Sequence, residues 1–268
     1  MNITSANQGS SYDPNNFGPA LWFTLHNSAT TYPDYPTFES QQEMKQLLKL
    51  LLHWLIPCFD CKTHWFQNLE NFNLDNVVKS RENLFNFYVH SHNNVNKRNK
   101  KPLLSIQEAK NVYGFYNVNV GSLIKISYTT KCKNKLNITS TSYGYSYDPD
   151  NFGPALWFTL HNSATTYPDY PTLESQQEMK QLLKLLHWLI PCTNNNFDYK
   201  IYWLENLKFF NLDNVVKSRE NLFNFYVQFH NFINKKNDKP LLSIQEAKNV
   251  YGFYRPGFGS SIRISYST

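Results

Sequence analysis

The 268-residue sequence predicts an all-α protein in which one helical module is written twice. Three observations carry that expectation. Residues 12–57 recur as residues 147–191, with Asn15 becoming Asp150, Phe38 becoming Leu173 and one leucine lost. Leu47, Leu48, Leu51, Leu52 and Leu55 repeat at the spacing of one helix face. Helix-start signals stand before several of the apolar stretches, among them Ser105 with Glu108. The match resumes at 73–81 with 211–219, at 101–105 with 239–243 and at 126–128 with 264–266. Two long copies mean a duplicated domain; solenoid units are shorter and more numerous. The expected units are 12–128 and 147–266, joined by a linker at 129–146 rich in Lys, Asn, Ser and Thr.

Within the first copy the elements read in order. Residues 17–26 open a first helix, with Pro19 near its start, where no amide donor is required. Trp22 and His26, four apart, share a face. The turn 32–36 ends it, and a second helix starts near Thr37 or Ser40, where Ser40 and Glu43 have capping-box spacing. Pro57 breaks that helix and sets Cys58 near a new helix start, followed by residues 62–69. A fourth helix begins at Ser80 and carries Leu84, Phe85, Tyr88, His92, Val95 and Asn96; a short fifth runs from Ser105 to near Gly114. Residues 122–128 alternate weakly, as a strand does.

Composition narrows the function classes. Apolar residues make 41% and aromatic residues 16% of the chain, enough for packed cores. The net charge of +6 is not gathered into one basic run, which argues against a nucleic-acid partner. No apolar run approaches the roughly 18 residues of a membrane span. The first residues carry neither a basic nor an apolar leader pattern, so the expectation is a protein of a reducing, cytoplasmic setting. Four cysteines, Cys58, Cys61, Cys132 and Cys192, are too few and scattered for a disulfide-stapled secreted scaffold.

The chemistry concentrates in Cys58-Phe59-Asp60-Cys61. A dithiol of this spacing can bind a metal, exchange disulfides or stay idle. A helix N-terminus favours thiolate, which makes Cys58 the better nucleophile and leaves Cys61, one turn further in, facing the interior. Cys58, Cys61 and His64 or His53 could supply zinc ligands, but a structural site wants a second ligand pair that the sequence does not show.

Five ordered motifs carry a resemblance. Trp22-x-x-x-His26, Tyr32-Pro33-x-x-Pro36-Thr37, Pro57-Cys58-x-x-Cys61, His92-Asn93-x-Val95-Asn96 and Lys101-Pro102 resemble, in order and spacing, the Erv/ALR family of FAD-linked sulfhydryl oxidases. The resemblance implies a four-helix bundle with a short fifth helix cradling FAD, here as two tandem domains. It implies that Cys61 is the flavin-proximal cysteine and Cys58 the interchange cysteine. Trp22, His26 and Tyr32 match the flavin face of the first helix, and His92, Asn93, Asn96 and Lys101 the grip on the adenine and phosphate end. The implied reaction turns protein thiols into disulfides, with electrons passing through Cys58–Cys61 to FAD and on to oxygen, giving hydrogen peroxide. A cytosolic member of this family resembles those of large DNA viruses, and the Asn-, Lys- and Tyr-rich composition is compatible with an AT-rich viral genome, so the resemblance implies host cytoplasm or virion.

The chain also departs from that pattern. A structural disulfide common in the family is missing, with Val89 and a residue near Ser105 or Ile106 at those positions. No shuttle dithiol is present, and Cys132 stands alone in the linker. In the second copy Cys192 matches Cys58, an insertion at 193–196 follows, and Tyr199 falls where Cys61 would be. Trp157, His161, His230, Asn231, Asn234 and Lys239 persist, which implies a pseudo-oxidase domain without a dithiol, its binding of FAD left open. The two copies are expected to pack as an intramolecular pseudo-dimer through their first two helices, in place of a homodimer. Two other readings stand beside the oxidase: a non-catalytic interaction protein on a decayed scaffold, and a small metal-binding module.

Overall fold

Each helix of the first copy begins where a side chain satisfies otherwise unpaired amides. The computed structural model describes residues 13–115, 123–129, 149–191, 198–253 and 261–267. The first copy contains α1 (Pro14–Ala29), α2 (Phe38–Trp54), α3 (Phe59–Leu69), α4 (Leu74–Val77), α5 (Arg81–Arg98) and α6 (Ile106–Val112), then a strand β1 (Leu123–Thr129). The second repeats it as α7 (Pro149–Ala164), α8 (Leu173–Leu185), α9 (Tyr199–Leu207), α10 (Leu212–Val215), α11 (Arg219–Lys236), α12 (Ile244–Val250) and β2 (Ser261–Ser267). Asp13, Thr37, Cys58, Asn73, Ser80 and Ser105 cap α1 to α6 in turn. The predicted box at Ser105 and Glu108 is complete, and Gly114, at φ 65°, turns the chain away after α6.

Three local expectations need correcting. α1 starts earlier than expected, so Pro14 takes the position that lacks an amide partner and Pro19 lies inside the helix. Thr37, not Ser40, caps α2, accepting from the Ser40 amide at 3.2 Å, and the Ser40–Glu43 box does not form. The one-turn helix α4 is an addition, held by Asn73 accepting from the Asp75 amide at 2.9 Å.

Apolar faces of α1, α2 and α5 meet in a core that includes Phe23, Leu47, Leu48, Phe85 and Tyr88, each at most 2% exposed. The hydroxyls buried on α1 turn back onto their own backbone. Thr24 donates to the Ala20 carbonyl at 2.9 Å and Ser28 to the Leu25 carbonyl at 2.8 Å, so a polar helix face can still be packed.

The copies join as expected, with α1 against α7 and α2 against α8. The contacts are reciprocal, as across a two-fold axis. Tyr32 meets Trp188 edge-on with ring centroids 5.6 Å apart, and Trp54 meets Tyr167 at 5.2 Å. β1 and β2 pair antiparallel with Ile126 opposite Ile264, equivalent positions of the repeat, so the ribbon crosses the same pseudo-axis. This ribbon is a small addition to the all-α architecture. The missing leucine breaks the symmetry: α8 ends at Leu185 and a 3-10 turn over Leu186–Leu189 carries Trp188. Trp188 Nε1 donates to Glu43 Oε2 at 2.8 Å, while Trp54 Nε1 is buried without a partner among the described residues.

Replacing Trp188 with alanine removes both an aromatic contact and a bond to a carboxylate across the interface. The expected loss is about 3 kcal/mol in urea unfolding, against about 1 kcal/mol for Glu43→Gln. An unchanged midpoint for Trp188→Ala would show that the copies do not support one another.

Candidate functional site

The site is built by the way α3 and α5 are tied to their neighbours. Pro57 ends the extended stretch after α2, and Cys58 caps α3 by accepting the Cys61 amide on its Sγ at 3.2 Å. Lys62 Nζ donates back to the His53 carbonyl, fixing the start of α3 against the end of α2. Burial lowers the pKa of this lysine. Cys58 and Cys61 form a disulfide, with Cα atoms 5.2 Å apart.

Cys61 forms part of the wall of a cleft of about 980 Å³, and Cys58 does not. The other walls come from α1 through Phe17, Leu21 and Trp22, from α3 through His64 and Trp65, and from α5 through Ser91, His92, Val95 and Asn96. The far side is the strap after α5, with Lys101, Pro102 and Leu104.

That strap is held by backbone geometry first. Lys100 adopts φ 53°, and the amides of Lys100 and Lys101 bond to the carbonyls of Lys97 and Asn96 at 3.2 and 2.8 Å. This is a Schellman closure, with lysine where glycine is usual. Two asparagines then lock it. Asn93 donates to the Leu104 carbonyl at 2.7 Å and accepts from the Leu104 amide at 3.0 Å, while Asn96 donates to the Pro102 carbonyl at 3.2 Å. Lys101 Nζ therefore hangs over the start of α1, donating to Asn15 Oδ1 at 3.1 Å.

A stack of rings forms part of the cleft wall and runs inward from it. Trp22 lies face to face with His92, centroids 4.4 Å apart and planes 7° from parallel. His92 Nδ1 meets His26 Nε2 at 3.2 Å, and His26 stacks on Tyr113 at 4.5 Å. One proton is shared in that contact, so the tautomer of one imidazole sets that of the other. Burial holds the pKa of His26 well below the ordinary imidazole value, with neighbouring His92 adding to the effect. His92 is lowered to about 4, first by burial and then by the charge on Lys101.

The sequence-predicted residues fall into three places. Trp22, Cys61, His92, Asn96 and Lys101 line the cleft. His26, 1% exposed, and Asn93 sit behind it and orient those that do. Tyr32 belongs to neither group. It is 2% exposed, its hydroxyl donates to the Val78 carbonyl at 3.0 Å, and its ring is taken up by Trp188 across the copy interface. The expectation that Tyr32 shares the face of Trp22 is thus corrected. Cys132, Cys192 and the insertion at 193–196 lie outside the described residues. The sequence reading missed Trp65, buried with its ring 5.9 Å from Trp22, although its spacing of four from Cys61 was a signal. It also missed Asn68, which donates to Ser91 Oγ at 2.8 Å, and Asn15 beneath Lys101. No group of three or more His, Cys, Asp or Glu suited to a metal ion occurs among the described residues, and no helix there is long and apolar enough to cross a membrane.

The buried imidazoles make stability depend on pH. Their folded pKa lies below the 6.5 of a free imidazole, so the unfolded chain binds more protons as pH drops. The stabilisation is whole above pH 6.5 and is lost as pH falls toward 4, at up to about 1.4 kcal/mol per pH unit for each ring. Urea midpoints measured from pH 7.5 to 4 should fall through that window, and His92→Gln should flatten part of the fall. A wild-type midpoint that holds level between pH 6.5 and 4.5 contradicts neutral buried rings.

Several known proteins are similar to this chain. The family profile described as Erv1 / Alr family matches residues 19–114 and again 154–252. The protein 096R of Invertebrate iridescent virus 3, which carries the name of an FAD-linked sulfhydryl oxidase, is 40% identical over 108 residues, covering 40% of this chain and 70% of that protein. The FAD-linked sulfhydryl oxidase of African swine fever virus is 34% identical over 97 residues, covering 36% of this chain and 79% of its own. The mitochondrial FAD-linked sulfhydryl oxidase ERV1 of Saccharomyces cerevisiae is 36% identical over 93 residues, covering 35% and 46%. Among solved structures, the yeast Erv1 core is 28% identical, covers 43% of this chain and 92% of that one, and has a TM-score of 0.36. The two matched segments span well over half of the sequence, and the chain belongs to the Erv1 / Alr family.

Proposed function

We propose that the chain is an FAD-dependent thiol oxidase that forms disulfides in protein substrates through Cys58 and Cys61. The observation that carries the reading is the position of the disulfide: Cys61 stands in the wall of the cleft, beside Trp22 and Trp65, and Cys58 stands outside it. A pair so placed has one sulfur for a substrate and one for a cofactor. Residues 12–128 are the catalytic unit, residues 129–146 a linker, and residues 147–266 a degenerate partner.

The residues present fit FAD. The cleft lies within the range of about 300–1,000 Å³ usual for ligand sites. Trp22 and His92 offer a flat aromatic wall, Asn96 a polar group, and Lys101 a cation for phosphate. When bound, FAD supplies a two-electron acceptor for the thiols and passes the electrons to oxygen, giving hydrogen peroxide.

The chain's own part is thiol chemistry. A substrate thiolate attacks Cys58 Sγ, breaking the Cys58–Cys61 bond and forming a mixed disulfide, with Cys61 leaving as thiolate. The second substrate thiolate attacks the substrate sulfur of that bond and displaces Cys58. The substrate leaves as a disulfide; two electrons remain on the cysteine pair, and the two thiol protons are released. Cys61 is then the thiolate on the cleft side. His26 holds His92, and His92 holds Trp22, so the wall keeps its shape while the cysteines change partners. Relatives from viruses and the reducing setting expected from the sequence support assigning this activity to host cytoplasm or virion.

The purified chain should be yellow and consume oxygen when given a dithiol. Cys61→Ser should keep the flavin and lose at least about 100-fold in dithiol-dependent oxygen uptake, the scale of losing a nucleophilic group. Trp22→Ala should lower the flavin content itself. A colourless wild-type protein, or a yellow Cys61→Ser variant with full uptake, overturns the reading; the first result would favour the non-catalytic scaffold.

A further inference from the structure

The second copy preserves the ring framework of the first. Trp157 lies on His230 with centroids 4.3 Å apart, and His230 Nδ1 meets His161 Nε2 at 3.3 Å. The strap also repeats, with Asp238 at φ 51° and the Lys239 amide bonded to the Asn234 carbonyl at 2.8 Å. By these residues alone the second cradle would bind what the first one binds.

The space between them is used differently. Tyr199, at the position of Cys61, reaches from the start of α7 to the end of α11. Its ring meets Phe152 edge-on at 6.4 Å, and its hydroxyl donates to Asn237 Oδ1 at 3.1 Å. The counterparts of those two residues, Phe17 and Asn99, both line the open cleft of the first copy. Phe229 replaces Ser91, is fully buried, and lies 4.3 Å from Trp203 and 6.4 Å from Trp157. Trp157 is accordingly 7% exposed, whereas Trp22 keeps a side open to its cleft. Charge changes as well. Lys101 faces the neutral amide of Asn15, but Lys239 is ion-paired with Asp150, at one of the two substituted positions of the repeated stretch. A phosphate approaching Lys239 meets a carboxylate already in place.

We infer that the second cradle is closed to FAD by its own side chains, Tyr199 and Phe229 filling it and Asp150 neutralising its cation, so that one chain carries one flavin. This rests on the reading of the first cradle as the FAD site. The duplication has therefore kept the walls of a binding site and packed its interior as core.

The ratio of FAD to chain, measured by flavin absorbance and native mass on the full chain saturated with FAD, tests it. The expected ratio is one, falling to near zero in His92→Ala and staying at one in His230→Ala. A second variant set, Tyr199→Cys with Phe229→Ser and Asp150→Asn, restores the first copy's residues and should raise the ratio above one. A wild-type ratio of two, or a loss of flavin in His230→Ala with none in His92→Ala, overturns the inference while leaving a flavin protein. A ratio of zero overturns the reading of the first cradle, and the single-flavin count with it.

Discussion

The structure depends on α1 being buried from two directions. One side packs on α7 of the other copy, and the other side carries Trp22 to the cleft with His26 behind it. Beyond its first two residues a helix in that position has no exposed face on which to place polar groups. Its hydroxyls are turned onto its own carbonyls, and His26 is kept neutral and tied to His92. The same burial makes α1 sensitive to substitution, because a change on either side disturbs an interface or a ring stack. It also fixes the cleft, because Trp22 cannot shift without moving a helix that the other copy holds.

Beyond that shared pair of helices the two copies diverge at particular places. α5 and α11 begin with the same residues, and the substitution of Ser91 by Phe229 comes only where the helix turns toward the cleft. α3 and α9 differ most at their starts, where one is capped by Cys58 and the other by Asp198. Asp198 accepts from the Lys200 amide at 2.8 Å, so the second copy keeps a capped helix after giving up the dithiol. Helix formation at this point needs only an acceptor; redox chemistry needs sulfur. The two requirements coincide in Cys58 and separate in the second copy.

Much of the fold was legible in the sequence because helix caps and apolar periods are local signals. Ser105 with Glu108, Pro57 before Cys58, and the leucine stripe of α2 each became the element they announced. The Ser40–Glu43 spacing misled because Thr37 offers an equivalent acceptor one turn earlier and Glu43 has a better donor in Trp188. That donor lies 145 residues away, and no local pattern could reveal it. In the site, Trp22, His92 and Lys101 were visible as spaced motifs. Tyr32 carried the same motif signal but lies in the turn after α1, where its partners Val78 and Trp188 are distant in sequence and leave no local pattern. The contents of the second cradle were equally hidden: its framework residues read as intact, and the rings of Tyr199, between Phe152 and Asn237, and of buried Phe229 show the space to be taken.

The contact between Glu43 and Trp188 has no counterpart on the opposite side, where Trp54 Nε1 finds no partner among the described residues. In an assembly of two identical chains every gene change appears on both faces at once, so substitution cannot improve one side alone. Joining the halves in one polypeptide lifts that constraint. Each half can drift alone, so one side of the axis can tighten while the other is relieved of its former task. Fusion thus converts a symmetric interface into two separately inherited surfaces, and the lost leucine of α8 is a visible trace of that independence.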